Sequence, residues 1–205
     1  MDEKVLYAAS ELRKAIHTLA QKTTEVDLTS EQLLEAAKLV QSASERLQGD
    51  QLPRWWEENN ETGGQTSRSY RNRSLFQGEL HPFSPTLHWD LYTGPDGESG
   101  YLIETTLSSL FEGPPSSVHG GYIAGLYDEL LGAVQNLAQG ETGYTAKLTI
   151  RYRSFTPTNT KLVFKGWVAQ NNGRRISVRA TCYDGTSLCS EAEALFLRLD
   201  RQSER

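Results

Sequence analysis

The feature that most restricts the fold is a stretch in the middle of the chain, Tyr122-Ile123-Ala124-Gly125-Leu126-Tyr127-Asp128-Glu129-Leu130-Leu131-Gly132-Ala133-Val134. It is apolar or small nearly all the way round. A helix with that pattern belongs inside a protein, because no face of it is polar enough for water. Something must therefore be wrapped around it.

The flanking sequence supplies the wrapping. Residues 87–92 and 101–110 read as short strands, joined by the turn chemistry of Thr93-Gly94-Pro95-Asp96-Gly97. Four further strands follow the helix. Residues 145–155 alternate Ala146, Leu148, Ile150 and Tyr152 against Lys147, Thr149, Arg151 and Arg153. Residues 161–169, 174–183 and 187–199 complete the set, with Asn171-Asn172-Gly173 and Asp184-Gly185 as hairpin turns. The expectation is an α+β domain over 79–200, an antiparallel sheet curled around one long helix.

Two helices precede this domain. Val5, Ala8, Leu12, Ile16 and Leu19 form one apolar stripe; Leu33, Ala36, Ala37, Val40, Ala43 and Leu47 form another. Thr29 with Gln32 three residues later is a capping-box signature, and Gly49 is a plausible stop. Residues 1–50 thus read as a helical hairpin that docks on something. Residues 51–78 read as a linker of polar, Arg- and Ser-rich chain with little to build a core. Trp55-Trp56 are its exception, expected to anchor the linker to the domain.

Charge and composition narrow the partners. The net charge is −5 and the pI about 5.5, which disfavours nucleic acid. Residues 1–50 carry nine acidic and six basic side chains, which disfavours a DNA-reading helix pair. No apolar run reaches the roughly 20 residues of a membrane helix. The opening Met1-Asp2-Glu3-Lys4 is not a signal peptide, so a cytoplasmic protein with reduced Cys182 and Cys189 is expected. The C-x6-C spacing without a nearby His points to no metal site.

The chemistry concentrates on the inner helix. Asp128 and Glu129 are adjacent and so diverge by about 100°; at least one is expected in a poorly solvated place, where a carboxylate must be paired or used. Ser116-Ser117-Val118-His119-Gly120-Gly121 leads into the helix start. Free N–H groups and the positive dipole end lie there, and glycines permit close approach. Such a site can hold a thioester carbonyl as it becomes an oxyanion. Gly121 and Asp128, however, are separated by about 10 Å along a helix axis. A two-fold dimer with antiparallel inner helices removes the conflict: the acid of one chain faces the helix start of the other.

These residues resemble a known family. His119-Gly120-Gly121-x6-Asp128, followed by Thr145-Ala146-x-Leu148-Thr149-x-Arg151-Tyr152 and Pro157, is similar to the hotdog-fold acyl-CoA thioesterases of the phenylacetyl-CoA thioesterase (PaaI-like) branch, within the 4-hydroxybenzoyl-CoA thioesterase-like superfamily. The resemblance covers about residues 80–199. It implies hydrolysis of acyl-CoA, or of an acyl group on a carrier protein, by a homodimer or dimer of dimers without a cofactor. It implies Gly121 or Gly120 as carbonyl donor, Asp128 as catalytic carboxylate, Thr145 as water-positioning group and His119 as orienting group. The N-terminal helices are not part of the core pattern.

Glu129 is the rival base. Arg151, Arg153, Arg174 and Arg175 are candidates for CoA phosphates, and also an ordinary solvated sheet face. Tyr122, Tyr127, Trp89 and the Trp pair are candidates for an acyl pocket. No Ser-His-Asp arrangement is present. Two rival readings stand: a non-catalytic acyl-CoA-binding or regulatory module, and a hotdog hydratase, which the sparse histidines disfavour.

Overall fold

The computed structural model describes residues 3–51, 72–78 and 80–198. Trp55, Trp56 and most of the expected linker lie outside the described residues. The chain divides into two compact units, residues 1–74 with 78–83, and residues 75–77 with 84–205.

The first unit contains α1 (Glu3–Glu25) and α2 (Ser30–Glu45). Thr29 makes the expected capping box: its hydroxyl accepts from the Gln32 N–H, and its own N–H donates to the Gln32 side chain. The helix ends at Arg46, before the expected stop at Gly49. No residue of either helix is fully buried, and Val5, Leu12, Leu33 and Val40 of the two stripes are exposed.

The second unit is a six-stranded antiparallel sheet with one helix against it. Its strands are β1 (His88–Thr93), β2 (Ser99–Thr106), β3 (Tyr144–Tyr152), β4 (Lys161–Asn172), β5 (Arg175–Asp184) and β6 (Ser187–Leu197), in the order β1-β2-β4-β5-β6-β3. The helix α3 (Gly120–Gln135) runs between β2 and β3 in sequence. Its buried face carries Ile123, Leu126, Tyr127, Leu130, Leu131 and Val134. The sheet meets that face with Ile103, Leu162, Phe164, Val178, Ala180 and Phe196. Gly166 of β4 lets the helix come close, since a Cβ there would stand 3.1 Å from Leu130 and Val134. Burial of this set supplies most of the driving force for the fold.

Two of the three register shifts in the sheet decide which way Thr145 and Gln170 point. In β3 the register slips between Thr145 and Lys147, leaving Ala146 as the extra residue; in β4 it slips between Val168 and Gln170. A bulge moves the residues beyond it to the opposite face. Thr145 therefore lies opposite buried Phe196, on the helix side, as Leu148 lies opposite Ala194. Simple alternation places it on the outer side with Lys147. Gln170, opposite Ser177, is turned outward by the same device.

Strand β3 is an edge, and Tyr144, Thr145, Lys147, Thr149, Arg151 and Tyr152 along it are exposed. Among the described residues of the expected linker, 75–77 fold against α3 rather than standing apart. The Phe76 ring sits over Gly125, where a Cβ would lie 2.0 Å from it.

Candidate functional site

The loop before α3 is held from both sides. The Val118 N–H donates to the Thr156 carbonyl at 2.8 Å, and Ser117 bridges Pro157. The His119 N–H donates to the Phe111 carbonyl at 2.8 Å. His119 is then the N-cap residue of α3: its Nδ1 accepts from the Gly121 N–H at 3.0 Å. That acceptor role requires a neutral ring with its proton on Nε2. The expected orienting histidine is thus bound to the expected donor glycine. Among the described residues the Gly120 N–H has no acceptor, and the Tyr152 hydroxyl donates to the Gly120 carbonyl at 2.8 Å. Tyr152, to which the sequence reading gave no role, ties the far end of β3 to the helix start.

Asp128 lies two turns further on. It is exposed, and the Thr145 hydroxyl donates to its Oδ1 at 3.4 Å. The bulge at Ala146 makes this pairing possible. Gly121 and Asp128 are seven residues apart and share one flank of α3, the flank that overlooks the exposed β3 edge. Ala124 and Gly132 lie along or beside the same flank, and nothing stands within 4 Å of a Cβ at Gly132, leaving it shallow.

The carboxylate in the drier setting is Glu129, not Asp128. Glu129 is half-buried on the back of the helix, where the Gln77 side-chain amide donates to its Oε2 at 2.7 Å. Tyr122 lies between Phe111 and Phe76, with ring centroids 4.4 and 5.1 Å away. Burial pushes its phenol pKa up. Nothing in the sequence marked Phe76 or Gln77, since both sit in a polar stretch without periodicity.

Other candidates are placed differently from one another. Tyr127 is fully buried and shares a 2.8 Å hydrogen bond with Ser190, so it belongs to the core. Trp89 packs edge-on against Tyr101. Arg151 and Arg153 pair with Glu191 at 3.7 and 2.6 Å, at the Tyr152 end of β3. Arg174 precedes β5, whose Arg175 is level with Leu197 and Tyr144 at the other end. Some eight residues of strand, about 25 Å, separate these ends. Within one chain the four arginines do not form one phosphate site. Cys182 and Cys189 are free and buried. Among the described residues no cluster of His, Cys, Asp and Glu can hold a metal, and no helix is long and apolar enough to cross a membrane.

An antiparallel sheet folded over a single buried helix is the hotdog architecture, and the chain has that fold. A solved structure of a thioesterase-superfamily protein, RHA08564, superposes with a TM-score of 0.70 over 92% of this chain and 94% of its own, at 23% identity. The acyl-coenzyme A thioesterase THEM4 of Xenopus laevis is 34% identical over 90 residues, covering 43% of this chain and 40% of the relative. THEM4 of Mus musculus is 33% identical over 106 residues, covering 48% and 45%. The chain therefore spans less than half the length of the curated relatives it matches. No family model matches the chain.

Proposed function

We propose that the protein hydrolyses acyl-CoA thioesters to a free acid and CoA, at a site completed between two subunits. The observation that carries the reading is the exposed flank of α3: a carboxylate and an amide-rich helix start on one stripe, with Thr145 bonded to the carboxylate. The curated relatives, named as acyl-coenzyme A thioesterases, support the substrate class.

The two groups are too far apart to act on one carbonyl within a chain. Pairing of β3 with its copy about a two-fold axis, an expected fate for a nine-residue exposed edge, brings a second α3 alongside. The shallow flank allows a close approach. Asp128 of each chain then faces the helix start of the other.

Each residue has a defined task. The Gly120 N–H, with that of Gly121 when the carbonyl displaces the His119 ring, donates to the thioester oxygen as negative charge develops on it. Asp128 either takes a proton from water as the oxygen adds to the carbonyl carbon, or adds to that carbon itself. The tetrahedral intermediate expels the CoA thiolate, which in the first route takes up the proton held by Asp128 and in the second is protonated once water adds to the anhydride. In the second route water then cleaves the mixed anhydride. Thr145 holds the carboxylate, and through it the water. No step requires a metal or redox cofactor.

Purified protein assayed against short, long and aromatic acyl-CoAs with a free-thiol reagent tests the reading. Asp128→Asn is expected to lose about 1000-fold in kcat with the oligomer unchanged, and Thr145→Val about tenfold. Near-normal turnover by Asp128→Asn sinks the assignment. Tight binding without hydrolysis across the panel makes the protein an acyl-CoA-binding module instead.

A further inference from the structure

The outer face of the sheet, turned away from α3, is a lattice of charges. Arg151 and Arg153 face Glu191, Arg179 lies 3.9 Å from Glu193, and Lys161 lies 2.8 Å from Glu104. Lys165 stands over the rings of Tyr92 and Tyr183. These cations are all partnered. Lys147 and Arg175 are not: among the described residues neither has an ion pair or hydrogen-bonding partner for its side chain.

Both line the same depression. It has a volume of about 490 Å³ and is walled by Lys147 and Thr149 of β3, Gln170 and Asn172 of β4, and Arg175 of β5, with Ser177 and Leu195 as its half-buried floor. Glu193, whose charge is shared with Arg179, stands at one side. The depression has a structural cause. Without the bulge at Ala169, strand alternation would turn Gln170 and Asn172 toward the helix; with it, they stand opposite Ser177 and Arg175 on the outer face.

We propose that this depression is a second ligand site, separate from Asp128, that takes a phosphate monoester carried on a hydroxyl-bearing ring. Two unpartnered cations line it, one a planar fork and one a point charge, which together suit a phosphate dianion. Inorganic phosphate alone would leave most of the space empty, since the volume is that of a small-molecule pocket. The two amides and two hydroxyls each donate and accept, as ring hydroxyls require. Leu195 gives the floor one apolar patch for a ring face.

Calorimetric titration of the full chain with adenosine 5′-monophosphate, ribose 5-phosphate, adenosine and inorganic phosphate tests the site. The two phosphate esters are expected to bind at least about tenfold more tightly than adenosine or inorganic phosphate. Lys147→Ala and Arg175→Ala, both at exposed positions, are each expected to weaken them by about tenfold. Asp128→Asn and saturating dephospho-CoA, which lacks the phosphate monoester, leave binding unchanged. Equal affinity for all four probes, no binding at all, or indifference to both alanine variants overturns the inference. Displacement of the nucleotide by dephospho-CoA, which has no phosphate monoester, also overturns it, because the depression would then be an arm of the thioester site. None of these outcomes depends on whether thioesters are hydrolysed.

Discussion

Asp128 and Glu129 are chemically alike and adjacent, yet their neighbours give them different work. The Gln77 amide and half-burial hold Glu129 at the back of α3, whereas Asp128 stands in solvent with the Thr145 hydroxyl as its partner. The buried hydroxyls show the same dependence on surroundings. Burial holds the Tyr127 phenol well above its ordinary value of 10.0, against the smaller opposing effect of its hydrogen bond to Ser190. A group whose folded pKa is raised favours the fold fully below the unfolded value. That contribution falls as pH climbs from about 10 toward the folded pKa, because only the unfolded chain then loses the proton. Tyr127→Phe should therefore cost about 1 kcal/mol at neutral pH, where Ser190 loses its partner, and make stability fall less steeply with pH above about 10. Urea unfolding of both proteins at neutral pH and near pH 11 measures this. An unchanged alkaline slope would show that Tyr127 does not set it.

The inner helix is built by subtraction. Gly125 leaves a notch on α3 that the Phe76 ring fills. Gly125→Ala should expel the ring and cost about 2 kcal/mol, despite alanine's better helix propensity. Phe76→Ala removes the obstacle, so the double variant should be less destabilised than the two single losses combined, by about 1 kcal/mol in urea unfolding. Strict additivity would mean that the ring and the notch do not meet. Contacts of this kind also mark where sequence reading succeeds and stops. The buried helix, the six strands and the Thr29 capping box were legible, because period and cap chemistry are local properties. The nearness of Thr145 to Asp128 was not derivable from alternation, which puts Thr145 on the outer face; only the family resemblance singled it out. A one-residue bulge at Ala146 reverses that placement, and alternation carries no mark of it. Phe76 and Gln77 read as linker because their partners, Gly125 and Glu129, lie some fifty residues away. The poorly solvated place expected for at least one of the two acids is found at Glu129, since the rotation of α3 against the sheet is set by packing across the whole core.

At the scale of the whole molecule, the separation of Gly121 from Asp128 makes a quantitative demand on assembly. If each site joins the helix start of one subunit to the carboxylate of the other, two differently disabled chains can complement. Asp128→Asn retains its helix start. Gly121→Val retains its carboxylate, and its added side chain lies on the exposed flank beside the His119 ring, obstructing the carbonyl's approach. Alone, each variant should be inactive. Unfolded together in equal amounts and refolded, they should pair at random, so that half of the dimers are mixed. Each mixed dimer has one site in which both halves are intact and one in which both are damaged. Activity should therefore return to about a quarter of that of the unaltered protein at equal total concentration. The recovery should require co-refolding or slow subunit exchange, not simple mixing of stable dimers. A site contained within one chain predicts no recovery at any ratio, because every chain in the mixture carries a defect. Varying the ratio adds a second constraint: recovered activity should follow the product of the two mole fractions and peak at equal amounts.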